Sequence, residues 1–286
     1  MRASFATVSA FLLAITLTPV SAQAENQIPP SPAQNTPPVQ NKCAPIPNQM
    51  GPARIVHVDT KGGSSYGTLQ YTKTVDIKAK ELVFTFDDGP DPKGTLSILN
   101  TLDQHCLKAT FFFTGLRADR YPELVQEAAR RGHTIAHHSW SHPNNLRRLS
   151  TTNARTQISR GMKSITAALR KDPSLDHISL APFFRFPGLN DSAPLTKWLA
   201  KQNIAVLSCE LGSDDWRGIS PDLILKRTLE NVAAAGKGII IMHDTKVNTA
   251  KALPRILSAL KSRGYTAAHM QPKPLTKIKM VATPTP

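Results

Sequence analysis

Leu82-Val83-Phe84-Thr85-Phe86 runs directly into Asp87-Asp88-Gly89-Pro90. Residues 95–105 then set Leu96, Leu99 and Leu102 on one helical face, before a second apolar run, Ala109-Thr110-Phe111-Phe112-Phe113. An apolar run too short for a helix, a polar turn, a helix-period segment and another apolar run make a βαβ unit. The pattern repeats outward. Further strand-like runs are Thr134-Ile135-Ala136, Phe183-Phe184, Ile204-Ala205-Val206-Leu207, Ile239-Ile240-Ile241-Met242 and Tyr265-Thr266-Ala267.

Between them lie helical segments. Residues 122–131 open on Pro122 and stop at Gly132, and residues 152–170 carry Ile158, Met162, Ile165 and Leu169 at three- and four-residue steps. A shorter segment covers 193–201. Residues 221–235 open on Pro221, stop at Gly236 and align Leu225, Leu229 and Val232, and 253–263 stop at Gly264. Seven strands alternating with six helices predict an α/β fold with parallel strands and right-handed crossovers. A (β/α) barrel and an open doubly wound sheet both fit. In either, function gathers at the carboxyl ends of the strands.

Polar residues stand at those ends. Asp87-Asp88-Gly89-Pro90 follows the first strand, and His137-His138-Ser139-Trp140-Ser141-His142 follows Ala136. Arg185-Phe186-Pro187-Gly188 follows Phe184, Asp214-Asp215-Trp216 follows the run from Ile204, and His243-Asp244 follows Met242. Each has a structural reading when taken alone. Asp-Asp-Gly-Pro is good turn chemistry, histidines four apart are often incidental, and a lone His is often a satisfied core residue. All five at the same end of successive strands is the pattern of a catalytic rim.

The residue types suit metal-assisted hydrolysis. Asp88, His138 and His142 supply a carboxylate and two imidazoles to a borderline divalent ion and leave a position open. Asp87 is free to take a proton from the attacking water, and Arg185 can pair with Asp87 to keep it ionised. His243 can give a proton to the leaving atom, with Asp215 orienting it. Trp216 offers an apolar face to a sugar ring. Two histidines and a carboxylate also suit an iron(II) oxygenase, against which the Asp-Asp-Gly-Pro context argues.

Thr85-Phe86-Asp87-Asp88-Gly89-Pro90 resembles the first motif of the polysaccharide deacetylase family, also called the NodB-homology domain or carbohydrate esterase family four. His138-Ser139-Trp140-Ser141-His142 matches its H-[ST]-x-x-H motif and Arg185-Phe186-Pro187 its R-x-P motif. Asp215-Trp216 matches the end of the fourth motif, and Ile241-Met242-His243 the L-x-H motif. The resemblance implies a distorted (β/α)7 barrel that removes N- or O-acetyl groups, most often from N-acetylglucosamine polymers such as chitooligosaccharide or peptidoglycan. It makes Asp87 the base, His243 the acid, and Asp88, His138 and His142 the ligands of zinc, with cobalt, nickel or manganese as alternatives. Pro187, Gly188, Ile241 and Trp216 fall at substrate-contacting positions. Three positions depart from the family pattern. Gly212 stands where an Asp opens the fourth motif, Ile241 replaces the Leu of an acetyl pocket, and Gly188 replaces a frequent Tyr. A Gly at 188 still offers a backbone N–H to an oxyanion. An O-acetyl xylan esterase and a non-catalytic carbohydrate-binding barrel are the competing readings.

The ends of the chain read differently. Residues 1–24 resemble a secretory signal: Arg2, the apolar centre Phe11-Leu12-Leu13-Ala14-Ile15, and the small-x-small site Ala22-Gln23-Ala24. A Pro-rich linker is expected over 25–51, the folded domain over 52–270 and a basic tail over 271–286. A periplasmic or secreted protein follows, in which a Cys43–Cys106 disulfide would pin the arm to the domain and leave Cys209 a buried thiol. The 286 residues include 35 Lys or Arg against 20 Asp or Glu, a formal charge of +15. That balance suits anionic envelope polymers. No aromatic-basic platform or recognition helix points to nucleic acid, and no apolar run is long enough to make the chain integral to a membrane.

Overall fold

The structure is a computed structural model, and it describes residues 49–274. In chain order it contains β1 (Arg54–Val58), β2 (Ser65–Tyr66), β3 (Glu81–Asp87), α1 (Thr95–Gln104), β4 (Thr110–Phe113), α2 (Gly115–Arg120) and α3 (Pro122–Arg130). There follow β5 (Thr134–His137), α4 (Thr151–Arg170), β6 (Phe183–Phe184), α5 (Ala193–Ala200), β7 (Ala205–Leu207) and β8 (Leu211–Gly212). The chain ends with α6 (Pro221–Ala235), β9 (Gly238–His243), α7 (Val247–Ser262) and β10 (Thr266–Pro272). Every strand pairing is parallel.

All seven residues of β3 are buried. This is the signature of a central parallel strand covered on both faces, and it explains why the segment reads as an unbroken apolar run. β9 lies along one edge of β3 from Leu82 to Asp87. The other edge is shared by β10, against Glu81 to Val83, and β4, against Thr85 to Asp87. β5 and β6 continue from β4. The ring closes through residues 205–212, where β7 pairs with β6 and β8, just beyond it, pairs with β9. The result is a distorted (β/α)7 barrel with its helices outside.

The sequence pattern anticipates β3 to β7, β9 and β10, but not β1, β2, β8 or α2. β1 alternates exposed and buried residues and adds to β10 at the sheet edge. β2 is a two-residue bridge to β7. Such short strands exist through their partners and carry no local signal. The segment after β2 leans over the barrel: Leu69 N–H donates to Cys209 O (3.0 Å), Gln70 Nε2 to Leu189 O (2.6 Å) and Tyr71 Oη to Asp191 Oδ2 (3.1 Å).

Several boundaries and faces are corrected. Helix α1 buries Thr95, Ile98, Leu99 and Leu102, an i, i+3, i+4, i+7 set, and leaves Leu96 exposed. Helix α6 buries Ile224, Thr228 and Val232, with Leu225 and Leu229 at the margin of the core. Helix α7 starts at Val247 and not near Leu253, and runs through Pro254. An internal proline forfeits one backbone bond. Burial of Ala250, Leu253, Ile256 and Leu257 on the same helix outweighs that loss. Met50 is buried in the core and β10 extends to Pro272. Cys209 is a buried free thiol, raised by burial to about 11. The expected signal segment, most of the linker and Cys43 lie outside the described residues, as does the tail beyond Pro274. No helix among the described residues is long and apolar enough to cross a membrane.

Candidate active site

Asp87 closes β3, and Asp88 follows it with φ +77°. That left-handed backbone turns the second carboxylate away from the strand, so the two aspartates serve different neighbours. Asp87 Oδ1 accepts from Arg185 Nη1 at 2.7 Å, with both side chains at most 1% exposed. Arg185 is fully engaged. It also donates to Thr85 Oγ1 (2.8 Å), Leu207 O (3.1 Å) and Ser208 O (2.9 Å), and its guanidinium lies 4.1 Å from the centre of the Phe112 ring. Burial raises the Asp87 carboxyl, and Arg185 and His243 oppose that rise without cancelling it. The expected pairing is present, but it does not hold Asp87 in the ordinary carboxylate range.

Asp88 Oδ1 stands 3.3 Å from His142 Nε2 and 3.6 Å from His138 Nε2. The three candidate ligand atoms lie within 4.8 Å of one another. His138 Nδ1 faces Arg185 O at 2.7 Å, so Nδ1 carries the proton and Nε2 presents a lone pair. Burial lowers His138 to about 3, which keeps the ring neutral as a ligand must be. Asp88 Oδ1 is buried without a hydrogen-bond partner among the described residues. An unpaired carboxylate oxygen facing two imidazole nitrogens fits a divalent cation. Ser139 (φ +67°) and His142 (φ +56°) are also left-handed, and they fold the intervening loop so that both rings face Asp88.

His243 ends β9 directly opposite Asp87 in the β3–β9 register. Its Nδ1 meets Asp215 Oδ1 at 2.8 Å, and Asp215 Oδ2 accepts from His243 N–H (2.7 Å) and Thr249 Oγ1 (2.6 Å). Burial alone would lower His243, but the hydrogen bond and charge of Asp215 raise it to about 9. Asp215 itself is lowered, because its bonds to His243 and Thr249 outweigh its burial. The pair is therefore ionic at neutral pH, with Nε2 left to donate.

Asp214 faces away and pairs with Arg227 (2.5 Å). Gly212 pairs with Ile241 across β8 and β9, and a Cβ there would sit 3.4 Å from Ile241 Cγ2. Ile241 is half-buried. Pro187 is buried, and Gly188 is exposed with φ +59°. Trp216 is 59% exposed, with the Arg217 guanidinium 4.7 Å from its ring centre.

The sequence assigns no role to three buried polar partners, Thr85, Thr249 and Asp244. Thr85 and Thr249 brace Arg185 and Asp215 and carry no local signal. Asp244 adjoins His243 in sequence. It is wholly buried, accepts from the Gly89 N–H and from Thr95 Oγ1 (2.5 Å), and is raised by burial to about 7. A Cβ on Gly89 would meet Asp244 Oδ2 at 2.0 Å, which accounts for a glycine after the two aspartates.

A family model described as polysaccharide deacetylase matches residues 74–206. A peptidoglycan-N-acetylglucosamine deacetylase of Bacillus cereus is 32% identical over 199 residues, covering 68% of this chain and 88% of the relative. The chain belongs to the polysaccharide deacetylase family. Another peptidoglycan-N-acetylglucosamine deacetylase of the same organism is 33% identical over 190 residues, 64% of each chain. Among solved structures, a peptidoglycan deacetylase of Bdellovibrio bacteriovorus superposes with a TM-score of 0.69 at 28% identity, covering 85% of this chain and 64% of the other. This polysaccharide deacetylase family member thus spans just under two thirds of the length of those last two proteins.

Proposed function

We propose that this chain is an exported, metal-dependent deacetylase that hydrolyses the N-acetyl group of a polymer containing N-acetylglucosamine. One relationship carries the reading. The Asp88, His138 and His142 ligand set stands beside a buried Asp87–Arg185 pair, with the charged His243–Asp215 pair on the adjoining strand. Peptidoglycan as the polymer draws support from the printed names of the relatives.

A divalent ion held by Asp88, His138 and His142 would acidify a water and polarise the acyl carbonyl. Asp87 takes the proton as the water oxygen bonds to the acyl carbon, and burial, by raising its carboxyl above the ordinary value, makes it a stronger base. The Gly188 N–H is assigned to the oxyanion. His243, charged and held by Asp215, gives its Nε2 proton to the sugar nitrogen as the C–N bond breaks. Acetate and a free amine are the products. Ile241 lines the acetyl pocket, and Trp216 stacks on a sugar ring. Export rests on residues 1–24. In that compartment a Cys43–Cys106 bridge is expected, and the docking of the arm beside Cys106, through the Gly51 N–H to His105 O bond (2.9 Å), favours it.

Acetate release from chitooligosaccharide, peptidoglycan and acetylated xylan, measured with a series of divalent metals, tests the reading. Metal-dependent release from an N-acetylated polymer is expected. Release from xylan alone would make the protein an O-acetyl esterase. Binding of acetylated sugar without release would make it a carbohydrate-binding barrel.

A further inference from the structure

A long run without a carboxylate follows His142. Residues 143–171 contain seven Lys or Arg and no Asp or Glu, and all seven are exposed. Several cations elsewhere are paired, as in Arg131 with Asp103, Arg227 with Asp214 and Arg255 with Asp222. Among the described residues, Arg147, Arg148, Arg155, Arg160 and Lys163 have no carboxylate within ion-pair distance. Like charges crowded on one helix repel and weaken it.

The face is joined to the site. Helix α4 seats its Gly161 against the loop between the two histidine ligands, where an added Cβ would come within 2.5 Å of Ser139 C. From the next residue back, the Arg160 guanidinium lies 3.3 Å from the Trp140 ring centre, over a residue inside that loop. Arg147 and Arg148 follow His142 in the turn Leu146–Arg148, and Arg155 lies over Trp198 at 5.5 Å. Stacking on an indole fixes a guanidinium without neutralising it, so its N–H edge stays available to a carboxylate.

We propose that the turn Leu146–Arg148 and the exposed face of α4 form a docking strip for a glycan strand that bears carboxylates along its length, feeding its acylated sugars to the rim at Trp140. The strip rests on the deacetylase reading and adds to it the charge of the polymer. A neutral glycan would gain nothing from the charge of these five cations, whereas a carboxylated strand gains at every repeat.

The test uses the full chain and a variant carrying Arg147→Gln, Arg148→Gln, Arg155→Gln and Lys163→Gln, with its thermal midpoint as the folding control. Co-sedimentation is measured with four probes over a salt series: peptidoglycan sacculi, sacculi with amidated carboxyls, chitin, and vesicles of anionic lipid. The wild type is expected to bind untreated sacculi most tightly and to lose that preference in salt. The variant should bind sacculi about tenfold more weakly, with chitin binding and turnover of a neutral chitooligosaccharide unchanged. Equal losses on sacculi and chitin, no loss on sacculi, or tighter binding to vesicles of anionic lipid than to sacculi would each overturn the strip. Because sedimentation needs no turnover, a wild type that binds as expected but releases no acetate would refute the deacetylase reading alone.

Discussion

Arg185 Nη1 and Asp87 Oδ1 meet at 2.7 Å in the barrel interior, and Arg185 is held by further bonds that Asp87 does not supply. Asp87 is the last residue of β3, and Arg185 reaches the carbonyls of Leu207 and Ser208 on the far side of the ring. The pair therefore ties together walls distant in sequence. Truncation in Arg185→Ala would strand a buried carboxylate and two carbonyls. A loss of about 3–5 kcal/mol in unfolding free energy is expected from urea titration. A loss under about 1 kcal/mol would mean that water enters and replaces the guanidinium.

The charged state of His243 depends on Asp215. Its pKa of about 9 lies above the ordinary imidazole value, so the ring is protonated at neutral pH and loses its proton as pH rises through about 9. If His243 is the acid, kcat falls on the alkaline side with that limb. Asp215→Asn keeps the side-chain shape and removes the charge. The alkaline limb should move to lower pH, with kcat at pH 8 reduced by about 10- to 100-fold. A pH–rate profile in which the limb stays put would detach His243 from it.

Gly161→Ala sets two effects against each other. Within helix α4, alanine is favoured over glycine by about 1 kcal/mol. The added methyl, however, falls 2.5 Å from Ser139 C and O and 2.9 Å from Trp140 N, all backbone atoms of the loop between His138 and His142. Overpacking of this kind costs about 1–3 kcal/mol, so packing outweighs propensity. Net destabilisation is expected in thermal melts, together with weaker divalent-metal binding by isothermal calorimetry. A stabilised variant with unchanged metal affinity would show that the loop yields freely.

Acid should act at the opposite end of the barrel. Thr134 gives its hydroxyl proton to Met270 O (2.7 Å) and accepts from His269 Nε2 (2.8 Å). Burial lowers His269 to about 3. The unfolded imidazole takes a proton near pH 6.5 and the folded one does not, so stability from this group is present above that pH. It is lost as pH falls from about 6.5 toward 3. In that window the wild type should lose about 1.4 kcal/mol more per pH unit than His269→Gln, measured by urea unfolding at several pH values. Parallel pH profiles would show that His269 is protonated in the folded state.

Local pattern makes the barrel legible where strands are covered on both faces, as in β3, β4 and β9. It fails where a strand is defined by its partner. β2 and β8 have two residues each and no periodicity to read, yet β8 closes the ring. Pro254 misleads in the other direction, because a proline resembles a helix start when tertiary burial is invisible. The candidate site is legible because ionisable residues stand at the ends of successive strands. Its support is less so. Thr85, Thr249 and Asp244 act through distances of 2.5–2.8 Å that only the closed barrel creates.

The most direct test separates holding a metal from taking a proton. Zinc binding by isothermal calorimetry and acetate release are measured together for Asp87→Asn, His138→Ala and His142→Ala. Asp87→Asn is expected to bind zinc near wild-type affinity while turnover falls by at least about 100-fold, and both histidine variants are expected to lose zinc. Full turnover by Asp87→Asn, or undiminished zinc binding by His138→Ala, would contradict the assignment.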